Sequence, residues 1–179
     1  MIAIANLHYS DTSSFGTFDV ADPKDLKLLA QQNYTLSAPG TNPERQDAAH
    51  LHDAVVDPTG QFILVPDLGA DLIRIFRVDS GVTGAASVGA IKAVAGSGPR
   101  HIAFATAGKS TFLYSTNELS NTITGYSVNY GKAGGKGPDC ATKEDALPEF
   151  TQLFTFSTHG PGGSVPAGTK SAEIEVSVS

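Results

Sequence analysis

One arrangement of strands and turns, found twice in the same order, constrains this chain more than any other feature of its sequence. The stretch 49–79 contains three short apolar runs separated by two turns rich in Asp and Gly. The runs lie at 54–56, 62–65 and 72–78, and the turns lie at 57–60 and 67–71. Short apolar runs joined by tight turns predict consecutive antiparallel strands, and the lack of a helical apolar spacing argues against a helix.

The same arrangement returns one repeat further along the chain. The segment 101–104 matches the segment 52–55, and the turn 117–121 follows the turn 67–71 by 50 residues. A repeat of this length that is built from short strands predicts a β-propeller, in which each blade is one four-stranded antiparallel sheet.

The fold prediction is therefore an all-β chain that forms a partial β-propeller of about three blades, in a single incomplete domain over residues 1–179. Phe18, Phe76 and Tyr126 are expected at equivalent places in the three blades. The segment 26–35 has the composition of an outer strand or a short helix, and the repeat favours the strand. Further strands are expected near 53–56, 62–66, 72–78, 88–94, 101–105, 111–116, 122–128 and 150–156.

The repeat also divides the chain into blades. Residues 1–36 form a partial blade without an innermost strand. Two whole blades follow, at 49–95 and 98–157, and the second of them contains a polar insertion at 130–149. Residues 171–179 begin the next blade. At about 45–50 residues per blade, a closed ring needs a much longer chain, so the sequence is expected to be a fragment or a truncated gene model. Its open sheet edges are expected to promote self-association.

Composition and charge exclude several classes of protein. Hydrophobic residues make up 40% and charged residues 17% of the chain, which is typical of a globular rather than a disordered protein. The formal net charge of -6, without a basic patch, argues against a nucleic-acid partner. No apolar run is long enough to span a membrane, and no signal peptide is visible. The single cysteine, Cys140, fits a reducing compartment, and because no signal peptide is visible the predicted location is the cytoplasm.

Five polar or charged residues are expected on one rim of the propeller, because the loops that enter the innermost strands form one rim of the central channel. His52, His101 and Glu173 fall at equivalent positions near the start of three successive innermost strands. Arg100 directly precedes His101, and the turn that contains Glu118 returns to the same rim. Imidazole and carboxylate groups exchange protons near neutral pH, and a guanidinium binds anions, so these residues predict proton transfer on a small anionic substrate.

Each of these residues also has a purely structural interpretation. His52 can hydrogen-bond a neighbouring blade, and Arg100 can brace a blade junction. Glu118 can hold its own turn, although the apolar Leu68 at its place in the preceding repeat favours a special role. The pair His50 and His52 suggests a metal site, but no third ligand lies nearby in the sequence, so neither a metal nor another cofactor is expected.

Three segments also carry a family resemblance. In order along the chain, HLHDAVVDPTGQFILVPDLGADLIRIF, GPRHIAF and NELSNTITGY resemble the seven-bladed β-propeller lactonase family. That family includes bacterial-type 6-phosphogluconolactonases and fungal 3-carboxy-cis,cis-muconate lactonizing enzymes. The resemblance covers nearly the whole chain but only about half of a family member. It implies catalytic roles for His52, Arg100 and Glu118, while a further arginine from a later blade has no counterpart here.

The resemblance implies that the parent protein opens or closes a lactone ring on a small carboxylated or phosphorylated substrate. Arg100, His101 and Glu173 are then expected to bind the substrate at the rim. The alternative hypothesis is a non-catalytic propeller that binds a partner or ligand on its rim, because propellers host unrelated functions. The 179-residue chain alone is expected to show little or no activity, because less than half of the channel wall is built.

Overall fold

The computed structural model describes residues 2–6, 12–78, 85–131 and 147–177, and within these ranges the chain is all-β without an α-helix. The first sheet contains β1 (Ile2–Asn6), β2 (Ser13–Asp19) and β3 (Lys27–Tyr34). The second contains β4 (Val55–Val56), β5 (Phe62–Asp67), β6 (Leu72–Val78) and β7 (Ala85–Lys92). The third contains β8 (Pro99–Ala107), β9 (Ser110–Asn117), β10 (Thr122–Asn129) and β11 (Glu149–Ser157).

The all-β prediction of antiparallel meanders is confirmed. Every neighbouring pair of strands is antiparallel, and the strands of each sheet follow one another in chain order. The segment 26–35 contributes β3, a strand rather than a helix. Most of the predicted insertion 130–149, including Cys140, lies outside the described residues. Residues 171–177 form no strand in the described chain, so the expected start of another blade stays a prediction.

A β-bulge recurs at the same place in each sheet. It interrupts the pairing with the outer strand immediately before Phe18 in the first sheet, Phe76 in the second and Tyr126 in the third. These are the three aromatic residues that the sequence repeat places at equivalent positions. Because a bulge increases the local twist of a strand, all three sheets are more strongly twisted at this equivalent position.

The second sheet is buried on both faces, which explains the unbroken apolar run of β5. Phe62 and Leu64 pack toward the third sheet, in a cluster with Ile102 and Leu113. Ile63 and Val65, which alternate with them along the strand, pack with Phe15 and Phe76 of the opposite cluster. The rings of Phe15 and Phe76 stack with their centroids 4.2 Å apart. Neighbouring sheets thus share their cores, as stacked repeats do.

Polar side chains in equivalent turns tie each sheet to the loop that follows it. Asp71 has a φ of 52°, and its carboxylate accepts hydrogen bonds from the backbone N–H groups of Gly96 (2.7 Å) and Gly98 (2.9 Å). Asn121, also with a φ of 52°, donates to the carbonyl oxygen of Thr169 at 2.9 Å. These bonds fix the loops that lead to the rim.

No helix in the described residues is long and apolar enough to cross a bilayer.

The loop at Gly98 requires a glycine both for its backbone conformation and for the space beside it. Its φ is 63°, and a Cβ there would lie 2.6 Å from Cγ of Leu119. A larger residue at this position would therefore have to displace the side chain of Leu119, and it would also crowd Leu68, whose Cγ would lie 3.1 Å away.

We expect Gly98→Ala to destabilise the chain well beyond the ~1–2 kcal/mol that the left-handed backbone alone costs an alanine. The matched control is Gly108→Ala, since Gly108 has a φ of 60° but a Cβ at that position would meet no neighbouring atom within 4 Å. Urea unfolding followed by circular dichroism measures both variants. Equal losses of stability would contradict the steric argument at Gly98.

Candidate functional site

Glu118 is the centre of an ion cluster at the rim. It follows β9, and its backbone N–H donates to the carbonyl oxygen of Gly98 at 2.8 Å. Its side chain is only 6% exposed, and Oε1 accepts a hydrogen bond from Nη2 of Arg45 at 2.5 Å. Oε2 lies 3.0 Å from Nε of Arg100, and Nζ of Lys170 lies 3.6 Å from Oε1. One buried carboxylate therefore holds three cations.

The three cations come from distant parts of the chain. Arg45 lies in the loop before β4, Arg100 begins β8, and Lys170 lies in the loop after β11. A buried carboxylate is stable only when it is paired, and one partner would neutralise Glu118. These four side chains instead carry three positive charges and one negative charge, a net charge of +2. The carboxylate of Glu173, which interacts with the charge of Arg100, reduces this surplus to +1, and the remaining positive charge favours a bound anion.

Arg100 also connects the cluster to His101 and Glu173. Its Nη1 donates to the carbonyl oxygen of Ala172 at 2.6 Å and lies 3.4 Å from Nε2 of His101. Because a guanidinium can only donate, Nε2 of His101 accepts, and the ring proton is assigned to Nδ1, which contacts Oε1 of Glu173. The hydrogen bond from His101 is the main cause that lowers the pKa of Glu173.

His52 is partly buried beside this network and remains neutral. Burial is the largest cause that lowers its pKa to about 4 from 6.5, and the positive charge of Arg100 lowers it further. The negative charge of Glu118 acts in the opposite direction. Within the described residues, the His52 ring has no hydrogen-bond partner, so its nitrogens are available to another molecule.

The structure brings together Arg100, Glu118, His101 and Glu173 in one chain of contacts, with His52 within electrostatic range. His50 points elsewhere, since its Nε2 binds Oδ1 of Asp47 at 2.7 Å. In the ranges that the structure describes, no group of three or more His, Cys, Asp or Glu side chains is placed to hold a metal ion.

Sequence reasoning missed Arg45 and Lys170. Both lie in loops rich in Gly and Pro, which read as connections between blades rather than as parts of a site. The sequence signal that could have found them is the scarcity of cationic residues, because the whole chain has only 12 Lys and Arg residues. A cation in a rim loop was therefore a candidate for anion binding.

A wide cleft lies beside the ion cluster, along the segment 171–174. It has a volume of about 910 Å³ and lies against the face of the third sheet that bears Ile123 and Phe156. Of the five expected site residues only Glu173 borders it. Since its other walls are mainly apolar or uncharged, the case for an anion site depends on the ion cluster rather than on this cleft.

Comparisons with known proteins identify the family. A family model described as "Lactonase, 7-bladed beta-propeller" matches residues 1–179. The chain belongs to this family. A "Probable 6-phosphogluconolactonase" of Arthroderma benhamiae is 41% identical over 120 residues, which cover 66% of this chain and 30% of that protein. A 6-phosphogluconolactonase of Formosa agariphila is 32% identical over 133 residues, covering 73% of this chain and 36% of the relative.

Solved structures show the same fold. The chain superimposes on a periplasmic gluconolactonase of Pseudomonas aeruginosa with a TM-score of 0.66, at 23% identity, over 93% of this chain and 40% of that one. A protein from Lactobacillus plantarum gives a TM-score of 0.62 at 27% identity, with coverages of 93% and 40%. The chain thus spans well under half the length of these proteins. The cytoplasmic location stays a prediction, because the Pseudomonas neighbour is periplasmic.

His52 should make the stability of the fold sensitive to acid. Its pKa is about 4 in the folded chain against 6.5 for an ordinary histidine, so the unfolded chain binds more protons between these values. Stability therefore falls as the pH is lowered through this window. We expect His52→Asn to lose less stability than the parent between pH 7 and pH 5, as measured by urea midpoints.

The matched control for this experiment is His159→Asn, because His159 is an exposed histidine outside the ion cluster. This variant should keep the parent's dependence of stability on pH. The same pH dependence in His52→Asn as in the parent would contradict the buried, neutral state of His52.

Proposed function

We propose that this site, in the intact protein, opens the lactone ring of a small anionic substrate by attack of water. The observation that carries the proposal is the buried Glu118 carboxylate, which holds Arg45, Arg100 and Lys170 beside a neutral imidazole. The names of the curated relatives favour 6-phosphogluconolactone as the substrate class. A phosphate or carboxylate group would offset the surplus positive charge.

Arg100 is the residue that we assign to the anion. Glu118 holds its Nε and the carbonyl oxygen of Ala172 holds its Nη1, which fixes the plane of the guanidinium. No described residue accepts a hydrogen bond from Nη2 of Arg100, so this donor remains for a ligand. A fixed donor stabilises charge that develops on a reacting oxygen without reorganising. The same group can bind the anionic substituent of the substrate.

His52 is the proposed proton acceptor. Water attacks the lactone carbonyl carbon while its proton passes to the unprotonated imidazole, and the proton then passes to the ring oxygen as the acyl C–O bond breaks. Burial is the largest cause of the lowered pKa of His52 and the positive charge of Arg100 the next, and an anion on Arg100 compensates this second cause. Substrate binding should therefore raise this pKa and make the imidazole a stronger base.

Glu118 fits a positioning role better than proton transfer. Both of its carboxylate oxygens are occupied by cationic donors, and its side chain is almost fully buried. It therefore holds Arg100 in place and contributes to catalysis through that guanidinium. His101 and Glu173 support the other edge of Arg100 through the hydrogen bonds described above.

A second candidate reaction is the closing of a lactone ring on 3-carboxy-cis,cis-muconate. The number of cations at the site supports it, since a substrate with three carboxylates can use Arg45, Arg100 and Lys170 together. In this direction a substrate carboxylate oxygen adds across a carbon–carbon double bond, and a protonated group delivers the proton to the neighbouring carbon. The remaining alternative is a non-catalytic propeller that only binds a partner or ligand on this rim.

The deciding experiment measures turnover of 6-phosphogluconolactone and of 3-carboxy-cis,cis-muconate by the longest natural form that contains these residues. Hydrolysis of the lactone supports the first reaction, and cyclisation supports the second. The absence of both activities in a folded protein would overturn the enzyme proposal in favour of a binding module. The 179-residue chain, assayed in parallel, tests the expectation that it has little activity alone.

Arg100→Ala should lower kcat/KM by about 100-fold, because loss of one preorganised donor typically costs two to three orders of magnitude in rate. Arg45→Gln and Lys170→Gln should act mainly on KM, because Arg45 and Lys170, unlike Arg100, are not among the charges that shift the pKa of His52. Lys109→Ala is the control, since Lys109 is exposed in the turn between β8 and β9. An Arg100→Ala variant with parental kcat/KM would remove Arg100 from the mechanism.

Anion binding should raise the pKa of His52, and the 179-residue chain suffices to test this by NMR titration of its histidines. Inorganic phosphate is the probe, with sodium chloride at equal ionic strength as the reference. Arg100→Ala should abolish the phosphate-dependent change, while it also raises the pKa of His52 in phosphate-free buffer. An unchanged pKa in saturating phosphate would contradict the coupling between the two residues.

A further inference from the structure

The pairing between the segment that carries His52 and its own sheet is interrupted. Residues 52–54 belong to no strand, and β4, which follows them, contains only two residues. The backbone N–H of His52 donates to the carbonyl oxygen of Pro66 at 3.2 Å. In a hydrogen-bonded pair of antiparallel residues the partner donates in return, but Pro66 has no N–H group. The carbonyl oxygen of His52 therefore receives no ladder bond from this partner.

The third sheet shows the equivalent position without an interruption. There β8 runs continuously from Pro99 to Ala107, and His101, the counterpart of His52, pairs with Thr116 of β9. The 50-residue repeat places Thr116 at the position of Pro66. Threonine has the N–H group that proline lacks, so this pair can complete its ladder bonds. The difference between the two sheets at this position is thus explained by Pro66.

Asp53 joins the incompletely paired segment to the neighbouring sheet. Its Oδ2 accepts a hydrogen bond from the backbone N–H of Ile102 at 3.2 Å, and its Oδ1 accepts one from the N–H of Ala54 at 2.7 Å. Ile102 lies in β8, two residues after Arg100. The carboxylate therefore connects the residue that follows His52 with the strand that carries Arg100.

The carboxylate at position 53 is not a requirement of the repeat. In the next repeat its position is taken by Ile102, whose apolar side chain cannot accept a hydrogen bond. At that junction the segment 171–177 is instead bound by Arg100, whose Nη1 donates to the carbonyl oxygen of Ala172 at 2.6 Å. This difference between the junctions favours a specific role for Asp53.

We propose that Asp53 is a positioning residue, which sets the place of His52 relative to Arg100 by binding the backbone of β8. The inference rests on the proposed function, in which His52 accepts the proton of the attacking water while Arg100 binds the anion. The two side chains must then reach the same substrate molecule, so their relative position limits the rate. Asp53 acts through His52, because both of its carboxylate oxygens accept hydrogen bonds from backbone N–H groups.

The pKa of His52 reports whether the segment stays in place, and NMR titration of the 179-residue chain measures it. Burial is the largest cause that lowers this pKa, and the charges that act on it belong to Arg100, Glu118, His101 and His50. Asp53 is not among them, and loss of a negative charge would by itself lower a histidine pKa. Release of the segment would instead expose the ring to water. We therefore expect Asp53→Ala to raise the pKa of His52 from about 4 toward 6.5.

Three further variants separate this role from a loss of stability. Gly108→Ala strains the turn at the end of β8 opposite Arg100, so it should destabilise the chain and leave the pKa of His52 unchanged. Asp53→Asn keeps one acceptor for Ile102 and should give an intermediate pKa, which decides the matter if Asp53→Ala does not fold. Pro66→Val restores the missing N–H group, so its addition to Asp53→Ala should return the pKa toward that of the parent.

A pKa of His52 that is unchanged or lowered in Asp53→Ala, or that rises equally in Gly108→Ala, would overturn the proposal. In the longest natural form that contains these residues, Asp53→Ala should lower kcat for the lactone about 10- to 100-fold with little change in KM. A displacement of about 1 Å can cost about 100-fold in rate, whereas Arg100 is still held by Glu118. Absence of hydrolysis in the parent would overturn the proposed reaction, while the pKa of His52 would still decide the role of Asp53.

Discussion

The structure depends on the burial of both faces of the second sheet between its two neighbours. A single four-stranded sheet cannot bury its own apolar faces, and β5 shows the consequence, because all six of its residues are buried. The alternating side chains of this strand belong to two different cores. This packing sets the position of each inner strand relative to the next. The rim residues can meet only because that position is fixed, since they come from different sheets and loops.

Electrostatics at the rim follow from one buried carboxylate. Glu118 is held by the backbone of the Gly98 loop, and it holds in turn three cations that would otherwise repel one another. The same field acts on His52, whose pKa is lowered by burial and by Arg100. A neutral base next to a surplus of positive charge is an arrangement that an anionic ester could use. The chemistry proposed for the site therefore depends on charges placed by the loops as much as on residues of the inner strands.

The two blade junctions show how a repeat diverges while it keeps its backbone. The bulge, the left-handed turn residue and the bond from that turn to the next loop are retained in both whole sheets. The side chains at equivalent positions between neighbouring sheets are not retained. Asp67, Arg74 and Tyr34 form an ion pair and a cation–π contact in one junction, and Asn117 forms hydrogen bonds to hydroxyl groups in the other.

The sequence by itself determined the all-β class, the strand order and the placing of Glu118 in a turn. These features depend on the alternation of apolar and polar residues and on the turn residues within short stretches, and the sequence contains the same pattern of both twice. It also singled out Arg100 and Glu118, which are in contact. Only the tertiary structure decided that Arg45 joins them, because Arg45 lies 73 residues from Glu118 and no local pattern relates the two. The neutral state of His52 was likewise decided by packing, since burial is a property of several chain segments together.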